Sequence, residues 1–217
     1  MVKIDRIFNT AQQFILVKDM TSLINFEDIH EEFEKLEYEP NIGNMISTDT
    51  NFFDKEKFVD TKTALENECK QYLNNVFGLR SFYEGLVMTN SWGNITGPNM
   101  FHHEHTHPFS VVSGVLFLDN HAGNLNLTIE AHLPQIPHFL DRSRPFISLR
   151  NLADDAEVDT DILENYRHCL VLFLSNQHHY VRQLPKEEIA RRRTISFNTF
   201  WKGKVGVENK DLASITF

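Results

Sequence analysis

Histidine is concentrated in two short stretches of this 217-residue chain: of its 11 histidines, five fall within residues 102 to 121 and three within 168 to 179. The first stretch begins HHEHTHPFSVVSGVLFL, from His102 to Leu118. In an extended backbone side chains alternate, so His103, His105 and His107 are expected on one face and His102 and Glu104 on the other. Two imidazoles two residues apart can converge on one ion, and a centre of this kind needs a further ligand delivered by the fold, with open positions left for substrate or dioxygen. The distant candidates are His178 and His179, which follow a strongly apolar run in HCLVLFLSNQHHYV. A His-rich tract also binds zinc adventitiously or stays solvated, so spacing alone leaves that reading open.

A second chemical element is RRRTISFN, residues 191 to 198. As a strand it places Arg192, Thr194, Ser196 and Asn198 on one face and Arg191, Arg193 and Ile195 on the other. An arginine aimed into a sandwich interior leaves a costly charge unless it meets a carboxylate there. The guanidinium fork suits the carboxylate of a small diacid. An outward cluster making rim contacts is the other reading, and the residues alone do not choose between them.

These groups need a scaffold, and at about 150 residues per domain the chain is expected to form one domain, 1–217, with generous loops. It is long enough to bury about 70% of the surface its unfolded form exposes. The composition is 41% apolar and 24% charged with 9 Gly and 7 Pro, globular rather than disordered or collagenous. Lys plus Arg number 21 against 30 Asp plus Glu, and the net charge of −9 argues against a nucleic-acid reader that relies on phosphate neutralisation. A small basic groove stays compatible with nucleic-acid modification. No 18-residue apolar stretch occurs, and the opening MVKIDRIFNTAQQFILV lacks the basic-then-apolar pattern of a leader. Cys69 and Cys169 match no metal or redox spacing. A cytoplasmic protein with two reduced core thiols and no membrane segment is the expectation.

The apolar period changes along the chain. IDRIFNTAQQFILVKD reads as a short strand and turn, and Asn25 precedes a helix with Phe26, Ile29, Phe33 and Leu36 on one face, ended by Pro40 and Gly43. Residues 41 to 59 read as polar and irregular. Thr63 and Glu66 form a capping-box pattern for a second helix with Leu65, Cys69, Tyr72, Leu73 and Val76 inward and Gly78 at its end. From Ser81 the period falls to 2, with strands at EGLVMTNSWGNI, SVVSGVLFLD, GNLNLTIE, HCLVLFLS and RRTISFNTFW, the last two separated by a turn containing Pro185. Residues 131 to 167, with three prolines and an acidic run through Glu164, read as a solvated loop or as a cover over substrate. Helices first and strands after give an α+β chain, mainly β: residues 1–80 support a sandwich or barrel core, 81–217, that the 131–167 insertion interrupts.

The run H-T-H-P-x-S-x-x-S-G-V-x-x-L, residues 105 to 118, resembles the signature of small 2-oxoglutarate- and Fe(II)-dependent oxygenases of phages and bacteria, which are similar to the catalytic domain of prolyl 4-hydroxylases. Other landmarks come in the same order: Trp92-Gly93-Asn94-Ile95, Gly123-Asn124-Leu125, V-L-F-x-S-x-x-x-H-x-V from Val171 to Val181, and Arg192-x-Thr194-Ile195-Ser196-Phe197-Asn198. The resemblance covers most of the chain. It implies a double-stranded β-helix, the cupin-like jelly roll, with His105, His107 and His179 as metal ligands and His178 as a neighbour. Arg192 would bind the distal carboxylate of 2-oxoglutarate, assisted by Thr194 or Ser196, with Asn94, Ser113 and Asn198 lining the same pocket. The implied cofactors are Fe(II), 2-oxoglutarate and dioxygen, and the implied outcome is hydroxylation of a substrate C–H bond. No residue pattern names that substrate, so a peptidyl prolyl, an amino acid, a nucleobase or a small metabolite is compatible, and oligomeric state is open.

Three departures stand out. The wider superfamily has a carboxylate two residues after the first histidine, and here that position is His107, so three neutral imidazoles leave more positive charge on the ion. A carboxylate could come from Glu104 if the segment is bulged, or His102 and Glu104 could be the pair. Leu174 stands where the family usually has proline, and Gln177 where an apolar residue is common. Two further readings stay open: a three-histidine oxygenase that does not use 2-oxoglutarate, and a non-catalytic jelly roll binding metal or ligand.

Overall fold

In the computed structural model, which describes residues 5–10, 13–78, 83–119, 127–130, 146–148, 168–183, 191–205 and 215–216, the chain opens with an antiparallel hairpin of β1 (Asp5–Thr10) and β2 (Gln13–Asp19). Asn25 caps α1 (Phe26–Phe33), its side-chain oxygen accepting from the Glu27 amide at 3.0 Å and satisfying one of the donors the helix leaves free. Phe26, Ile29 and Phe33 are buried as the period requires. The helix stops at Phe33, short of Pro40, because Phe33, Leu36 and Tyr38 all close on Gly93, where a Cβ would lie 2.9 to 3.1 Å from them. A continuing helix could not bring all three to one point. Tyr38–Pro40 instead forms β3, paired with β4 (Met45–Ser47).

Residues 41 to 59 are more ordered than their polarity suggests. Besides β4 they hold two 3-10 turns, Phe52–Asp54 and Glu56–Phe58, whose Phe52, Phe53 and Phe58 are fully buried against one another. This aromatic knot starts α2 (Val59–Phe77) early. Thr63 therefore lies inside the helix, its hydroxyl donating to the Val59 carbonyl at 2.8 Å, and no capping box forms there. At the far end Gly78 takes the left-handed conformation (φ 68°) that suits glycine, and its amide donates to the Asn74 carbonyl. A buried Lys18–Glu68 ion pair at 2.8 Å ties α2 to β2.

The remaining strands are β5 (Tyr83–Thr96), β6 (His102–His105), β7 (Val112–Phe117), β8 (Thr128–Glu130), β9 (Phe146–Ser148), β10 (Cys169–Leu174), β11 (His179–Val181), β12 (Arg192–Val205) and β13 (Ile215–Thr216). Among the described residues they form two antiparallel sheets. The major sheet runs β1-β2-β10-β7-β12-β5-β4-β3 with β13 on β12, and the minor sheet runs β6-β11-β8-β9. The fold is mainly β with a few helices, a jelly roll.

The central strands β7 and β10 are buried almost throughout, as strands covered on both faces must be. One face of the major sheet presents Leu116, Leu172, Ile195 and Phe197 to α1 and α2, where they pack with Phe33, Leu65 and Tyr72. Gly114 of β7 belongs to this packing: a Cβ there would come 2.1 Å from the Phe197 ring on β12. The opposite face turns Ser113, Val115, Phe173, Arg192 and Thr194 toward the minor sheet. Cys69 and Cys169 are free and buried, and burial pushes the Cys169 thiol up to about 12. No described helix is long and apolar enough to cross a membrane. The proposed cover at 131–167, apart from β9, lies outside the described residues, as do Gly123-Asn124-Leu125 and the Pro185 turn.

Candidate metal centre and diacid pocket

The minor sheet brings the two histidine stretches together. His105 on β6 and His179 on β11 are register partners with ring centroids 4.2 Å apart. His107, just past β6, is held by its own amide donating to the Ser175 carbonyl at 2.9 Å. Its Nε2 lies 3.1 Å from the Nε2 of His179, and one ligand atom from each of the three histidines falls within 4.8 Å of the others.

Hydrogen bonds fix which nitrogens face inward. His105 Nδ1 contacts the His103 carbonyl at 2.8 Å and His179 Nδ1 contacts the Gln177 carbonyl at 3.0 Å. A carbonyl can only accept, so both Nδ1 atoms carry the proton and both Nε2 atoms present a lone pair, that of His179 accepting from His107 Nε2 where an ion would replace the proton. Burial lowers all three imidazoles: His107 to about 4, His105 below its ordinary value, and His179 well below it, with neighbouring rings adding to the effect at each. All three are neutral at neutral pH. Such a donor set fits a first-row divalent ion, iron(II) among them.

The segment is bulged, as the carboxylate alternative required, yet the bulge admits a different residue. His179 pairs with His105 and Val181 with His102, so two residues of β6 oppose one of β11. This turns His102 into the cleft beside His105, ring centroids 4.5 Å apart, and leaves Glu104 exposed, paired with His178 Nδ1 at 2.7 Å. Neither His103 nor Glu104 joins the triad. The departures at Leu174 and Gln177 are one feature: the Leu174 amide donates to the Gln177 side-chain oxygen at 2.9 Å, a bond proline could not make. The same turn presents the Gln177 carbonyl to His179.

Arg192, Thr194, Ser196 and Asn198 share one face of β12, as the alternation requires. Arg192 is 3% exposed, 3.4 Å from the Thr194 hydroxyl and over the Phe117 ring at 4.9 Å. Burial lowers its guanidinium to about 10, still charged at neutral pH. It lines, with Thr194, Ser196 and Asn94, the same cleft as the three histidines, about 420 Å³ counting its open mouth. Asn94 donates to the Ser196 hydroxyl at 3.0 Å. Ser113 lines the cleft as well, whereas Asn198 is placed differently: it stands behind His107, its amide nitrogen 3.4 Å from Nδ1, and its oxygen accepts from Ser113 at 2.7 Å. Ser175 and Ser110 extend this chain of hydroxyls. Trp92 also lines the cleft, and its indole Nε1 is buried without a hydrogen-bond partner, a donor suited to an incoming acceptor. Nothing in the sequence marked Trp92 as more than a landmark.

A family model described as "Putative 2OG-Fe(II) oxygenase" matches residues 90–198, which is half of the chain. The chain belongs to this family, whose cofactors are iron(II), 2-oxoglutarate and dioxygen, and it is accordingly an oxidoreductase. Among solved structures it is similar to a Pseudomonas putida prolyl-4-hydroxylase (14% identity, 89% of this chain and 95% of that one, TM-score 0.52). HygX from Streptomyces hygroscopicus, solved with nickel and 2-oxoglutarate bound, matches at 10% identity over 86% and 82% with a TM-score of 0.53. SnoN, an alpha-ketoglutarate-dependent epimerase from nogalamycin biosynthesis, matches at 7% over 89% and 80% with a TM-score of 0.56. At these identities the likeness is one of fold. No curated protein sequence matches the chain.

Proposed function

We propose that this chain acts as a single domain that hydroxylates an aliphatic C–H bond of a small molecule or peptide, with His105, His107 and His179 holding iron(II) and Arg192 holding 2-oxoglutarate. When bound, the iron supplies a two-electron oxidation in which R–H, 2-oxoglutarate and dioxygen become R–OH, succinate and carbon dioxide. The observation that supports this most is the shared cleft: three neutral imidazoles at one end and a buried guanidinium with a hydroxyl beside it at the other. Arg192 and Thr194 would take the distal carboxylate, a charge-assisted contact strengthened by the dry surroundings. Trp92 Nε1 offers a further donor to an acceptor in the cleft. The Ser113–Asn198 chain orients the His107 ring, and the carbonyls of His103 and Gln177 keep the protons of His105 and His179 on Nδ1.

The test is conversion of 2-oxoglutarate to succinate by iron-loaded protein under air. We expect wild type to form succinate slowly without a primary substrate, and His179→Ala to lower the rate on the order of a thousandfold. Equal rates in the two proteins would overturn the assignment. The all-histidine donor set favours one second reading, an oxygenase independent of 2-oxoglutarate, in which Arg192→Ala would leave oxygen consumption with substrate unchanged.

A further inference from the structure

We propose that His102, His103 and His105 form a second, outer seat for a divalent cation of the kind imidazole prefers, such as Zn(II) or Ni(II), sharing His105 with the inner triad. One ligand atom from each of these three residues lies within 4.8 Å of the others. Their rings are mutually packed, with centroids 5.3 Å apart for His102 and His103, 4.5 Å for His102 and His105, and 5.0 Å for His103 and His105. In a regular strand His102 and His103 would diverge to opposite faces; the bulge opposite Tyr180 is what lets all three converge. His103 contributes an independent observation: its Nδ1 is buried and has no hydrogen-bond partner. A buried nitrogen left in this state costs free energy that an ion would recover.

The tautomer of His105 sets the relation between the two seats. With Nδ1–H bound to the His103 carbonyl, His105 has a single lone pair, on Nε2, and serves one ion at a time. The inner and outer seats are therefore alternatives. The inner one includes His179, 5% exposed, whereas His102, His103 and His105 are only half-buried, so an ion from solvent meets the outer seat first. Passage inward keeps His105 and exchanges His102 and His103 for His107 and His179. The Glu104–His178 pair lies alongside, and the Glu104 carboxylate favours a cation.

Calorimetric titration of metal-free protein with Zn(II) alone decides the matter. Wild type is expected to bind one equivalent, and His107→Ala/His179→Ala to bind one equivalent more weakly. Adding His103→Ala to that pair should weaken zinc at least tenfold, on the scale of losing a ligand's support. The same set with His107→Gln and His179→Gln keeps bulk in the buried positions and guards against misfolding. A double variant that binds no zinc, or a triple variant that binds as tightly as the double, would overturn the outer seat. This readout involves no 2-oxoglutarate, so failure of the proposed function would appear separately, as absence of succinate from wild type.

Discussion

Arg192 and Arg193 are neighbours on β12 and point to opposite sides of the major sheet. Arg193 is fully engaged by protein: its backbone amide and its Nε each reach Asp119 at 2.9 Å, and Glu34 takes another guanidinium nitrogen. Arg192 is more deeply buried, and the groups it meets include the Thr194 hydroxyl at 3.4 Å and the Phe117 ring face. A carboxylate pair stabilises the first charge inside the fold. The second lines the cleft together with Asn94, Thr194, Ser196 and the three histidines. The difference teaches that burial and charge alone do not distinguish the two arginines; placement in the cleft beside the histidines does.

Exchanging the two arginines in turn gives the largest expected contrast. Arg192→Met should weaken 2-oxoglutarate about a hundredfold, the scale of a lost charge-assisted fork. Arg193→Met should do the reverse, costing about 2 kcal/mol of stability by stranding Asp119 and leaving 2-oxoglutarate affinity unchanged. Isothermal titration and thermal melts of both variants check this, and matching losses of affinity would erase the distinction between the faces. On the packed face, Gly114→Ala drives a methyl into the Phe197 ring. It should destabilise by about 1–3 kcal/mol in denaturant titrations. On the cleft face, Ser113→Ala removes the hydroxyl that holds Asn198 behind His107. Metal affinity should fall about tenfold, and stability by about 1 kcal/mol as Asn198 and Ser175 lose a buried partner.

The alternation that separates these faces was legible in the sequence, because a strand of period 2 needs no tertiary information to sort Arg192, Thr194, Ser196 and Asn198 from Arg193 and Ile195. The apolar faces of α1 and α2 were legible for the same reason. What escaped depends on contacts between distant segments. Strict alternation groups His103 with His105, whereas pairing with β11 inserts a bulge and brings in His102. Thr63 and Glu66 satisfy a local capping rule that the buried Phe52, Phe53 and Phe58 override. The hydrogen bond between Leu174 and Gln177 turns two separate departures from the family pattern into one support for His179.

The smallest expected effect lies far from the cleft and tests whether the helical layer is independent of it. Hydrogen bonds from Lys57 and Lys55 hold the Glu32 carboxyl at about 2, against 4.5 for the free group. A carboxylate lowered in the folded state stabilises above its unfolded pKa, and this contribution is lost as pH falls from about 4.5 toward 2. After allowance for screening of these partly exposed lysines it amounts to about 1 kcal/mol. Glu32→Gln should flatten the acid limb of the melting profile by that amount and leave 2-oxoglutarate binding at neutral pH untouched.

The most direct test of the central claim is an anaerobic titration of wild type, His105→Ala, Arg192→Met and Arg193→Met with Fe(II) and then 2-oxoglutarate, following the weak visible charge-transfer band. A band in wild type and Arg193→Met, absent in His105→Ala and shifted to much higher 2-oxoglutarate concentration in Arg192→Met, is the expected result. No band in wild type, or a band that Arg192→Met leaves unchanged, would contradict the claim that this cleft seats iron and a diacid between the two sheets.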